Sequence, residues 1–234
     1  MSITTTYRRG QVDGALWRQF TAERVAASKE APRVFSTRIK RLLDIDRTMK
    51  PVDPAASRYA FLEGEPPGKG TEVAFTAFDA FCLAVGLDML DAGFKQSEVV
   101  FVLKHIRPEL VQHHARMLAR PCRPDRILSQ GEHFPDIPSF PNDQGTAVAD
   151  WRVFLILKRV EFVETLHVPK DQPIPPKTPL FMEPVFVDGI DGLAAYLNDQ
   201  MWPFRKAYIA EIVKPASLTT GFLKWAPEIH RGRA

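Results

Sequence analysis

Five prolines stand between positions 121 and 141 (Pro121, Pro124, Pro135, Pro138 and Pro141), with Gly131, Asn142 and Gly145 close by. Proline has no amide hydrogen and a fixed φ, so a helix interior or a central strand cannot run through such a stretch. A structureless segment of that length is uncommon inside one compact unit. Residues 119–149 are therefore read as a Pro-rich linker between an N-terminal domain at 1–118 and a C-terminal domain at 150–234. Each side retains enough chain for a core of its own. With 45% hydrophobic and 25% charged residues, the composition is that of a folded chain rather than a disordered one.

Two cysteines, Cys82 and Cys122, exclude a disulfide framework and leave no Cys-x-x-Cys zinc site. The first nine residues lack the apolar stretch of a secretory signal. The apolar runs at 99–103 and 153–157 fall far short of the ~20 residues that span a bilayer. The expectation is a reduced, cytoplasmic chain without a membrane segment.

The N-terminal domain reads as mostly helical. Val12, Leu16 and Phe20 recur at i, i+4 and i+8. Pro32 suits the start of a second helix, in which Phe35, Ile39, Leu42 and Leu43 make an apolar stripe. The opposite side presents Arg33, Ser36, Thr37, Lys40, Arg41, Asp44 and Arg47. Two strand-like runs at 58–62 and 71–75, joined by a Gly/Pro-rich loop, predict a β-hairpin. Two helices follow: 78–92, closed by Gly93, and a second capped by Ser97, with Pro108 kinking it or starting a further helix at 109–118.

The C-terminal domain mixes strand and helix. Residues 151–163 are apolar on both parities, as in a strand covered on both faces. Strands at 180–187 and 207–213 and helices at 190–201 and 216–224 complete a small α+β domain. The strand at 151–163 and the helices at 97–118 are the candidate dimer surfaces. The tryptophans of this domain default to core, with a ligand pocket for an effector or a subunit interface as the alternatives.

Charge is placed unevenly. Residues 1–50 hold eleven Lys/Arg against five acids, a surplus of six in a chain whose net charge is only +3. A local positive field of that kind attracts phosphate backbones or acidic surfaces.

The order helix, basic helix, hairpin, helix, helix resembles a MerR-like winged helix-turn-helix over residues 10–107. The likeness is sharpest at Leu90, Gly93, Phe94, Glu98, Val99 and Leu103, which match a helix ending in Leu-x-x-x-Gly-Phe followed by Glu-Val and a Leu-rich helix. The Arg-Tyr-Tyr-Glu that closes the recognition helix in that family is missing here. The resemblance implies a sequence-specific, probe-like helix in the major groove and a transcriptional regulator acting as a homodimer on double-stranded DNA. It implies Ser36, Thr37, Lys40 and Arg41 at base edges or phosphates, Arg33 and Arg47 on the flanking backbone, and Arg58 and Lys69 reaching phosphates from the wing. The alternative is a non-enzymatic interaction module whose basic N-terminal surface docks an acidic partner.

No catalytic constellation is evident, and no enzyme activity, cofactor or metal is expected. The glycines around Lys69 have the wrong spacing for a phosphate-binding P-loop, and a strand-like run follows instead of a helix. His105, His113 and His114 lack the i, i+4 spacing of a helical zinc site. Asp88 and Asp91 share a helix face, but no nucleophile lies nearby in sequence.

Overall fold

The computed structural model describes residues 5–21, 30–51, 56–66, 72–119, 139–141, 147–160, 180–181, 184–199 and 206–224. Among them are six α-helices and antiparallel sheets of two, two and four strands, an α+β composition. The chain divides into two compact units, Met1–Arg120 with Lys214–Ala234, and Pro121–Val213.

In the first unit β1 (Tyr7–Arg8) leads into α1 (Arg9–Thr21) and α2 (Arg33–Thr48). Next come β2 (Ala74–Phe75), α3 (Ala77–Asp91) and α4 (Gln96–Ala119). The centre is α3, whose residues from Asp79 to Leu87 are all buried. Its start is fixed by a capping box: the Asp79 amide donates to the Thr76 hydroxyl, and the Asp79 carboxylate accepts from the Thr76 amide. Its end is a Schellman turn. Gly93 adopts φ +91°, its amide donates to the Leu90 carbonyl, and the Phe94 amide donates to the Met89 carbonyl. At Gly86 a Cβ would lie 3.2 Å from side-chain atoms of Leu103, Phe61 and Val99, so glycine there sets how closely α3 and α4 approach.

Pro108 neither breaks α4 nor starts a new helix; the helix runs through it. The proline leaves the Lys104 carbonyl without its helical donor, and the Ser57 amide supplies one at 2.8 Å. Lys95, rather than Ser97, stands before the first turn: its amide donates to the Glu98 carboxylate at 3.0 Å, and its carbonyl accepts from Val99.

The expected hairpin wing is not formed. Arg58–Leu62 is a run of bends, and β2 pairs antiparallel with β1, Tyr7 opposite Phe75. Tyr59, Ala60, Phe61 and Leu62 are buried, and the segment's backbone groups are satisfied by charged side chains of α2 and α4 in place of a strand partner.

In the second unit β3 (Ser139–Pro141) pairs antiparallel with β4 (Ala147–Ala149). That part of 119–149 is therefore sheet and not linker. The β-favouring Phe140 and Val148 stand opposite each other in the ladder; the rest of the stretch beyond Ala119 lies outside the described residues. The central strand of the larger sheet is β5 (Val153–Val160). Along one edge it pairs with β6 (Leu180–Phe181) and β7 (Val185–Asp188). These are two strands where the sequence suggests one, and Pro184, without an amide hydrogen, precedes the second. Helix α5 (Gly189–Asp199) lays Leu193, Tyr196 and Leu197 against Phe154, Ile156, Val185 and Val187. Asp150 fixes where α5 begins, accepting from the Ile190 amide at 2.7 Å and from the Arg152 guanidinium. Burial alone would raise its pKa, but these hydrogen bonds hold it below the usual carboxylate value. The other edge of β5 pairs with β8 (Lys206–Glu211). Both edges of β5 are thus paired, and Val153 to Leu157 are buried.

The last helix, α6 (Val213–Lys224), falls with the first unit rather than with the C-terminal domain. Its buried positions are Ala216, Thr219 and Leu223, and the Thr219 hydroxyl donates to the Gln19 side chain of α1.

Candidate functional site

The two faces of α2 do different things. The inner face buries Phe35, Ile39, Leu42 and Leu43, as the i, i+4, i+7, i+8 spacing dictates. Phe35 meets Trp17 of α1 edge-on, with ring centroids 5.3 Å apart, and Phe20 at 6.1 Å. Asp46 continues the stripe at 1% exposure. Its carboxylate accepts from the Ala60 amide at 2.9 Å and the Phe61 amide at 3.1 Å, and lies 3.2 Å from Lys104 Nζ. Lys104 itself donates to the carbonyls of Asp46, Met49 and Arg58, at 3.0, 2.6 and 2.7 Å. The ammonium thus caps the carbonyl end of α2 from another helix, where the helix dipole favours a cation. Arg107 completes the cluster, donating to the Ala60 carbonyl at 2.8 Å and to Asp79 at 2.6 Å. Buried charges are tolerated only when paired and fully hydrogen-bonded, and here they are.

The outer face carries the residues expected to meet DNA. Arg33, Lys40, Arg41 and Arg47 are exposed, and among the described residues no carboxylate pairs with any of them. From Arg33 to Arg47 is 15 residues of helix, a rise of about 21 Å at 1.5 Å per residue. Arg38 differs: it is half-buried and held by Asp91 at 2.5 Å. Ser36 and Thr37 are half-buried. The Ser36 carbonyl accepts from Arg9, and the Thr37 hydroxyl donates to the Arg33 carbonyl at 2.8 Å.

The wing residues do not join this surface as expected. Arg58 sits on the bend segment, exposed but 3.3 Å from Glu65, with its guanidinium 5.3 Å from the Tyr59 ring. Lys69 lies outside the described residues. Sequence reasoning missed the buried cluster, although an acid at 46 on the apolar stripe, and Lys104 and Arg107 among Leu103, Ile106 and Leu110, were its signal.

Other reactive groups are built into the core. Cys82 is fully buried, which pushes its thiol up to about 12, so it is no nucleophile at neutral pH. His114 packs against the rings of Phe78 and Phe81, at 5.3 and 4.8 Å, and its Nε2 finds no partner. Burial lowers it to about 4. Among the described residues no group of three His, Cys, Asp or Glu side chains is placed to hold a metal ion, and no helix is long and apolar enough to cross a membrane. A cleft of about 660 Å³ opens beside β1 and β2, lined by Tyr7, Arg8, Gln11, Glu72 and Lys224 among others. Arg8 faces Glu72 across 3.8 Å there.

In comparisons with protein-family models, curated proteins and solved structures, none matches this chain.

Proposed function

We propose that this chain binds double-stranded DNA through the outer face of α2, as a sequence-specific transcriptional regulator acting as a homodimer. One observation carries the reading: four exposed cations, none of them paired with a described carboxylate, lie on one side of a helix whose other side is locked into the core. Arg33 adds to it, because a cation in the first turn opposes the helix dipole and costs helix stability there. Its position is better suited to an anion outside the chain. A helix of this diameter, about 10–12 Å, fits the ~12 Å major groove, with its flanks against the two phosphate backbones. The homodimer follows from the recurring need for two half-sites in specific recognition.

The test is an anisotropy titration of the full chain against labelled duplexes, one of mixed and one of palindromic sequence, at several salt concentrations. Four phosphate contacts per chain give a slope of log K against log salt of about −3.6. Saturation at two chains per palindromic duplex supports the dimer, and one chain contradicts it. No binding at low salt, or a response flat in salt, overturns the DNA reading.

A further inference from the structure

The outer face of α2 is not uniformly basic. Around the helix, the line opposite Phe35, Ile39, Leu42 and Asp46 is made by Thr37 and Asp44, with Arg33 and Thr48 about 30° to either side of it, Lys40 and Arg47 further round beyond Arg33, and Arg41 beyond Thr48. Asp44 is exposed and lies within one turn of Lys40, Arg41 and Arg47, yet among the described residues it pairs with none of them. The two threonines spend their hydroxyl hydrogens on the helix itself, Thr37 on the Arg33 carbonyl and Thr48 on those of Asp44 and Ile45. The centre line therefore ends in one carboxylate with its acceptor oxygens open.

We propose that Asp44 is the residue through which α2 discriminates base pairs, selecting cytosine. This rests on the DNA-binding reading above. A carboxylate gains nothing from phosphates, so a surface that only gripped the backbone would do better without it. At the centre of the face it meets the floor of the groove, while the flanking cations meet the walls. Guanine presents only acceptors there, and thymine an acceptor and a methyl group. Adenine offers its amino group beside the N7 acceptor, which repels a carboxylate. Cytosine offers an amino donor with a C–H on its outer side, so that guanine O6 is the one acceptor beside it, and is the base an Asp can accept from. The cations then supply affinity, and Asp44 supplies the choice of sequence.

The experiment is selection of a random 20-bp duplex pool by the full chain, alongside Asp44→Asn and Asp44→Ala, with sequencing of the bound fraction. The parent enriches a C·G pair at a fixed position, by about 5- to 150-fold over the alternatives. Asp44→Asn shifts that position toward A·T, because an amide pairs with adenine N6 and N7. Asp44→Ala binds the average duplex at least as tightly but shows no preference at that position. Thermal melts show that each variant is folded. Identical enrichment by parent and Asp44→Asn, or binding by the parent without enrichment, overturns this assignment and leaves DNA binding standing. No retention of duplex by the parent at low salt overturns both.

Discussion

Asp44 and Asp46 are two positions apart on one helix and live in opposite worlds. Asp46 is closed in by two backbone amides and the Lys104 ammonium. Asp44 faces solvent among three cations that do not close on it. The helical period alone separates them, since two residues turn the chain by more than half a circle. The difference teaches how this unit uses charge. Inside, Asp46 and Lys104 are each committed to several backbone groups and fix where α2 and the segment 58–61 lie. Outside, charges are left open, on a helix that the inner charges hold still. The rigid inner face is what gives the outer pattern a defined geometry.

The largest effect that can break this contrast is on stability. Asp46→Ala leaves Lys104 buried without its carboxylate and two amides unpaired, and is expected to cost about 3–5 kcal/mol. Asp44→Ala, on the exposed side, is expected to change stability by about 0.5 kcal/mol or less. Urea unfolding of both variants measures the gap, and equal losses would show that the inner cluster does not organise the unit.

A second expectation for the buried side of this unit concerns pH and α4. His114 titrates near 4 when folded, against 6.5 for an ordinary histidine. Below 6.5 the unfolded chain takes up a proton that the folded chain refuses, so stability falls as pH drops toward 4. The loss is about 2 kcal/mol between pH 7 and 5. His114→Phe, which keeps the aromatic stack, is expected to remove that part of the slope. An unchanged slope in denaturant midpoints across this range would contradict the neutral, buried histidine.

How much of this was legible in the sequence differs between the same two faces. The stripe Phe35, Ile39, Leu42 and Leu43 announces both α2 and its outward cations, because burial follows a local period. Gly93 likewise announces the end of α3, since only a left-handed residue closes a Schellman turn. The run 58–62 misleads for a physical reason. Its apolar residues and Gly/Pro flanks look like a strand, but its backbone partners are Asp46, Lys104 and Arg107, as many as 47 positions away in the chain. No local pattern carries that information. Pro108 starts no further helix for a similar reason: its cost to α4 is offset by Ser57, a donor from a distant segment. The outer-face residues Arg33, Lys40, Arg41 and Arg47 were legible as exposed cations, whereas the role of Asp44 appears only once its neighbours are seen not to pair with it.

The central claim is that the outer face of α2 is separable from the fold and binds DNA. Lys40→Ala combined with Arg41→Ala tests it most directly, with melting curves and salt-dependent binding isotherms on the same preparation. The account predicts a stability change of about 0.5 kcal/mol or less per site and a salt slope shallower by about 2, with weaker binding on every duplex. A double variant that binds as tightly as the parent with the same salt slope would contradict it.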